Sequence, residues 1–347
     1  MNFKSKNIFL RVLFFLFISF ISFSCMDDLQ DDVKLETIPI PEGIKVGSVE
    51  LGSQYLFNAY YNLASNKVVQ AGTNFDYDLA FECADDGWHI LLNTAVFMKA
   101  GNTMNKNFED INSPSGFDFN FDPSTGNLDS TAVGKWFDVN GTDTLFYKNV
   151  YIIDLGLDEV GNPLGYKKVV FENLSNGIYT IRHANLDGTE DFTTTIAKNQ
   201  EVGFTGFTFK NGGGAVNFQP ETSKWDLYFG QYTTLLYAGE EPYPYIVRGV
   251  LTNRDGVRAM LYQGEKSFAD LEYADVLNLT FPDALDGIGH DWKYYNLEEG
   301  FYAVETEKVY LIRNAAGDFF KLHFLSYFND EGENGYPQFE FKKLESF

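Results

Sequence analysis

Apolar and polar residues alternate with a period of two through most of the chain beyond residue 43. In Lys224-Trp225-Asp226-Leu227-Tyr228-Phe229 the alternation puts Trp225, Leu227 and Phe229 on one face. In the run from Tyr336 to Lys342, Phe339 and Phe341 point one way and Gln338, Glu340 and Lys342 the other. That period, with polar alternates, specifies half-buried strands of antiparallel sheets. Asn176-Gly177, Asp187-Gly188 and Asp255-Gly256 fall between such runs and read as hairpin turns, since these residues reach the positive φ that tight turns need. Only Ser267 to Asp275 reads as helical, with Ser267 as cap and Phe268, Leu271 and Tyr273 or Val276 packed. The predicted fold class is all-β, predominantly antiparallel, with at most one short helix.

The strand pattern echoes itself. Tyr60 to Val69 precedes Tyr77-Asp78-Leu79-Ala80-Phe81, and Phe207 to Val216 precedes Trp225-Asp226-Leu227-Tyr228-Phe229. Each reads as an aromatic strand, a polar turn, a short valine strand, a gap, and then aromatic-Asp-Leu opening another strand. Two copies fall short of a solenoid, so the echo implies two related β lobes or one lobe preceded by a partial duplicate. Asn102 to Asn140, rich in Asn, Asp, Ser and Gly, is expected to be the mobile junction between them. This gives an N-terminal lobe over 44–140 and a larger β domain over 141–347.

The amino terminus reads differently. Lys4, Lys6 and Arg11 precede an apolar run from Val12 to Phe23, and Ser22-Phe23-Ser24-Cys25 closes it. The order is that of a secretory signal over residues 1–24, and the apolar run is too short to span a bilayer. A cysteine at the cleavage point is the lipid acceptor of bacterial lipoproteins; an ordinary signal with an incidental cysteine is the alternative. Asp27, Asp28, Asp31 and Asp32 follow, so residues 25–43 read as a lipidated acidic tether. Such acid-rich starts resemble the export tags of surface-exposed lipoproteins in Bacteroidetes-type bacteria. The expected location is the outer membrane, facing the surface, with the periplasmic face as the alternative. The net charge of −23 excludes a general nucleic-acid binder, which needs a basic stripe. It also disfavours adsorption to anionic lipid heads, leaving the lipid anchor as the contact with membrane. Cys83 is the one other cysteine and, beside Phe81 in an apolar run, is expected to be a buried thiol.

The last third carries a family resemblance. Lys224-Trp225-Asp226-Leu227 with Tyr232, Tyr245 to Asn253, Val309 to Phe324 and Tyr336 to Phe341 resemble, in order, strands of the HmuY family of Bacteroidetes lipoproteins. The resemblance is firmest over residues 200–347 and fainter over 46–100. It implies an HmuY-like β fold, capture of haem, and a TonB-dependent outer-membrane receptor as partner. Haem-binding members ligate iron through paired histidines or methionines, because an axial ligand must offer a nitrogen or sulfur lone pair. His290 is the candidate metal ligand, with Trp292, Tyr294 and Tyr295 as an aromatic surround for the porphyrin. The family's ligand position falls nearest Tyr295-Asn296-Leu297, which holds neither His nor Met. His323 reads as a surface or sheet-paired residue, His183 as bordering a turn, and His89 as packing after Trp88. Met98, Met104 and Met260 could supply thioethers, and no two form a recognisable pair.

Enzymatic signatures are missing from the sequence. There is no His-Glu-x-x-His, no Gly-x-Ser-x-Gly and no phosphate-cradling Gly-Lys-Ser/Thr motif. The expectation is a binding protein, not an enzyme. Beside haem capture stand two alternatives: a surface glycan- or peptide-binding lipoprotein, favoured by the aromatic content, and an accessory lipoprotein of an outer-membrane complex that holds no ligand.

Overall fold

The computed structural model describes residues 42–141 and 143–346. The signal segment, Cys25 and the tether up to residue 41 lie outside the described residues. Four antiparallel sheets make up the body. Sheet A runs Ile44–Ser48, Asn334–Leu344, Phe319–Phe328, Tyr310–Arg313, Arg258–Leu261. Sheet B runs Glu241–Thr252, Leu227–Ala238, Phe57–Asn62, Lys67–Thr73. Sheet C runs Gly214–Val216, Phe204–Thr208, Leu79–Glu82, Ile90–Leu92, and sheet D runs Phe192–Ala197, Ile178–Asn185, Tyr166–Ser175, Val150–Asp154, Lys99–Asn102. The antiparallel all-β expectation is what the structure shows. Asn176 and Gly177 both take positive φ (52° and 72°) and close the tight hairpin between Ser175 and Ile178.

Two apolar cores pair the sheets. Tyr61, Leu227, Phe229 and Val250 of sheet B pack against Ile312, Leu322, Phe324 and Phe339 of sheet A. Leu79, Phe81 and Phe207 of sheet C pack against Tyr151, Ile153, Phe171 and Ile181 of sheet D. The molecule is therefore two sandwiches, A/B and C/D, each sealing one face of its sheets.

The strand order shows a duplication. The first copy, Ile44–Asn185, supplies three strands to sandwich A/B, crosses over, and builds most of C/D. The second, Phe192–Leu344, supplies three strands to C/D, crosses back, and builds most of A/B. Each sandwich is completed by the opening strands of the other copy. The echo seen in the sequence marks the two crossings, and their hydrogen bonds match. Asp78 N donates to Phe207 O (2.7 Å) as Asp226 N donates to Tyr61 O (2.8 Å). The Asp78 carboxylate accepts from Phe209 N (2.7 Å) and that of Asp226 from Leu63 N (2.8 Å). Asn93 Nδ2 donates to Asn74 O and Tyr77 O, and Asn253 Nδ2 to Thr222 O and Trp225 O.

The boundary expected near residue 140 is corrected by this arrangement. It falls inside the first copy, between the paired strands Phe137–Asn140 and Asp143–Phe146. The expected mobile junction is packed into the fold: Phe108, Ile111 and Trp136 are buried there, and Asn120 bridges to Ala100. Three further expectations are corrected. Asp255-Gly256 is no hairpin turn, because Gly256 (φ 84°) carries the chain from sheet B into sheet A. The helix is confined to Tyr273–Val276, capped by Glu272, while Ser267 to Leu271 forms turns around the buried amine of Lys321. Trp225 leaves the face of Leu227 and Phe229, since it precedes the ladder and its ring turns to Tyr60 on the opposite face.

Candidate functional site: a cleft between the sandwiches

Sheets B and C turn their second faces toward each other, and here the duplication has diverged. Pairing at the crossings makes Tyr60 the counterpart of Gly206, Tyr228 of Ala80, Trp225 of Tyr77 and Arg254 of Thr94. The two faces enclose a cleft of about 460 Å3 lined by all eight of these residues except Gly206. That volume lies within the range of small-molecule sites. A second cavity of about 440 Å3, lined by Tyr55, Tyr245 and Arg248, adjoins it across Ala95 and Gln231.

Aromatic rings form the cleft's apolar wall. Tyr60 meets Trp225 edge-on at 4.9 Å and Tyr228 at 5.2 Å between centroids. Phe218 stacks on Tyr77 at 4.0 Å, and glycine at 206 is required for it: a Cβ there would lie 2.7 Å from the Phe218 ring. Polar groups complete the site. Burial pushes the Asp122 carboxyl up to about 6, although its oxygens accept from Leu92 N and Ala132 N, both at 2.7 Å. Burial raises Glu82 as well, but hydrogen bonds from the His89 ring and from the N–H groups of His89 and Trp88 outweigh it and hold the carboxyl below its usual range. Burial likewise lowers the Arg254 guanidinium, which donates to Gly126 O.

The sequence-predicted ligand set lies elsewhere. Trp292 is 2% exposed and stacks on Phe324 at 3.9 Å in the A/B core, so its face cannot cover a porphyrin. Tyr294 and Tyr295 are half-exposed on a two-stranded ribbon, Lys293–Asn296 with Phe301–Val304. His290 is partly exposed, with Nε2 3.2 Å from Asp291, and burial lowers its pKa first. None of the four lines either cavity. The remaining histidines are occupied. His89 stacks on Trp88 and bonds Glu82, and His323 faces its cross-strand partner Glu340. His183 does not border a turn: it is buried among Phe192, Phe207 and Phe209 and held down to about 4 by burial. Met98 is buried in the C/D core, Met104 is exposed, and Met260 packs beside Leu311.

The cleft does not fit a ligated haem. No His or Met lines it. Its one sulfur, Cys83 Sγ, is buried and engaged by Thr205 Oγ1 (3.2 Å) and Asn199 N (3.3 Å). Burial drives the phenols of Tyr60, Tyr77 and Tyr228 above their usual range, away from phenolate.

Comparison with known proteins adds the family. The family model described as HmuY protein matches residues 55–341, most of the chain and both copies. The chain belongs to the HmuY family. No curated protein matches it. Among solved structures, it is similar to apo PinO from Porphyromonas gingivitis (9% identity, 88% of this chain and 98% of that one, TM-score 0.26). It is also similar to an apo HmuY analog from Tannerella forsythia (10% identity, 87% and 96%, TM-score 0.25). Sequence reasoning missed Arg254, Tyr60 and Tyr228; the available signal was the echo itself, read residue against residue for where large side chains face small ones.

Proposed function

We propose that this HmuY family member is a surface lipoprotein, anchored through lipid on Cys25, that captures a small ring-bearing ligand and presents it to an outer-membrane receptor of the TonB-dependent kind. It acts by binding and transforms nothing. The observation that carries this reading is the inter-sheet cleft: two faces of duplicated sheets, which symmetry would let close on each other, keep about 460 Å3 open and line it with Tyr60, Trp225 and Tyr228. Aromatic faces combined with a few fixed polar groups are the usual makeup of a ligand site.

Haem is the first ligand to test, because the family resemblance points to it. The cleft supplies no axial nitrogen or thioether, so a ligated haem would have to use His290 at the surface. Titration of the purified chain with hemin decides this. A Soret shift abolished in His290→Ala supports ligation there; no shift removes haem. Palmitate labelling that depends on Cys25 tests the anchor, and an unlabelled chain in the cytosol refutes it.

A further inference from the structure

We propose that the cleft binds a hydroxylated ring bearing a carboxylate, an acidic sugar of the uronic-acid type, with Arg254 as its counter-charge. This rests on the capture reading above and names the ligand class.

The first argument is charge. The Arg254 guanidinium is partly buried, donates to Gly126 O and lies over the Phe204 ring, yet pairs with no carboxylate among the described residues. Three carboxylates influence it from a distance, and each has other partners. Glu82 is held by His89, Asp122 by the backbone of Leu92 and Ala132, and Asp283 by Arg258. Arg258 adds a repelling positive charge. A guanidinium stays charged at any pH the protein meets, and a desolvated charge without a partner is strongly unfavourable. An anion entering the cleft would supply that partner. The position is specific to one copy, since its counterpart is Thr94.

The second argument is the balance of donors and acceptors. Gln200, Gln219 and Gln231 donate their amide N–H groups to Cys83 O, Phe204 O and Tyr55 O, at 3.0, 3.2 and 3.1 Å. Their carbonyl oxygens take no bond from a described side chain or backbone and so remain acceptors for hydroxyl groups. Trp225 Nε1 is a buried donor with no acceptor. Hydroxyls for the glutamines, an oxygen for Trp225, a carboxylate for Arg254 and an apolar ring face for Tyr60 and Tyr228 together describe an acidic pyranose. A porphyrin offers carboxylates but no hydroxyls, which sets the two ligands apart.

The experiment is calorimetric titration of the purified chain with oligomers of galacturonic, glucuronic and mannuronic acid, and with neutral galactose oligomers of matched length. At least one uronate is expected to bind about tenfold or more tightly than the neutral oligomers. Arg254→Gln should erase that difference. Tyr228→Ala, which places the residue of the other copy at this position, should weaken both. Equal affinity for acidic and neutral sugars, or uronate binding unchanged in Arg254→Gln, overturns the proposal. Hemin binding without uronate binding overturns it too and leaves capture standing; failure of both overturns both.

Discussion

In the first copy the Lys168 amine reaches the carbonyls of Phe108 and Ile111, both at 3.0 Å, and lies 4.7 Å from the Phe108 ring centroid. In the second copy Lys321 reaches the carbonyls of Phe268, Ala269 and Leu271 and lies 4.9 Å from the Phe268 ring. The strand registers confirm the equivalence, with Lys168 opposite Ile152 and Lys321 opposite Leu311. The crossing aspartates and their partner asparagines match as closely. At the cleft the copies part: Tyr60, Tyr228 and Arg254 stand where the other copy has Gly206, Ala80 and Thr94. The contrast separates two kinds of constraint. A buried polar group must keep every partner or leave an unsatisfied atom in low dielectric, so these devices persist in both copies. The cleft face had only to keep the sheets apart, and it was free to change side-chain size and charge.

The equivalence can be broken first at the buried indoles. Trp136 and Trp292 each precede the ribbon of their copy, and each packs on the matching strand, against Phe171 and Phe324. Trp136→Ala and Trp292→Ala should each destabilise by about 3–5 kcal/mol, the range for emptying a large core side chain. Urea unfolding checks it. Because each sandwich contains strands of both copies, loss in either should lower the stability of the whole body in a single transition. Two separate transitions would refute reciprocal exchange as the source of cooperativity.

Next come the buried lysines. Lys168→Met and Lys321→Met keep the apolar stem but leave two and three turn carbonyls without their donor, so a loss of about 2–3 kcal/mol is expected in each. The crossing aspartates follow. Asp78→Ala and Asp226→Ala strand the N–H groups of Phe209 and Leu63, and a cost of about 1–2 kcal/mol each is expected. Similar values within each pair sharpen the comparison. A pair whose members differ severalfold would show that equivalent geometry hides unequal roles.

How much of this was legible in the chain follows from range. Period-two runs such as Phe339 and Phe341 against Gln338 and Glu340 are decided by which side is buried, and they read correctly. Asn176-Gly177 also read correctly, since turn chemistry is local. Asp255-Gly256 has the same chemistry but joins two sheets, and nothing within four residues says which strand comes next. The echo at Asp78 and Asp226 was visible, whereas its meaning was not: a crossing between sandwiches is a relation between residues some 150 positions apart. Phe108 to Ile111 and Phe268 to Leu271 form a matching pair that emerges only once the strands are aligned. The residues expected to form one site were set apart for the same reason. His290, Trp292, Tyr294 and Tyr295 are neighbours along the chain, but Trp292 packs into the core before the ribbon begins while Tyr294 and Tyr295 lie exposed on it. The cleft instead gathers residues from 60 to 285.

The subtlest contrast lies in buried charge. Asp122 of the first copy stands at the cleft, and Lys293 of the second is buried beside Trp292 with its amine on Arg248 O. Burial pushes Asp122 up to about 6 and, with help from Arg248, pulls Lys293 down to about 7. Between the unfolded carboxyl value near 3.8 and about 6, the folded chain binds more protons than the unfolded one, so Asp122's contribution is fully present below that window and is lost as pH rises through it. For Lys293 the unfolded chain binds more protons between about 7 and 10.5, so its contribution grows as pH rises through that window and is lost as pH falls through the folded value. Asp122→Asn should therefore flatten the stability profile only between about pH 4 and 6, by about 2–3 kcal/mol. Lys293→Met should flatten it only above neutrality. Urea unfolding midpoints of the two variants and the parent across pH 4–9 distinguish these effects. If Asp122→Asn changed the profile above pH 7 and left the acid side intact, burial of the carboxylate would not be what sets its proton affinity.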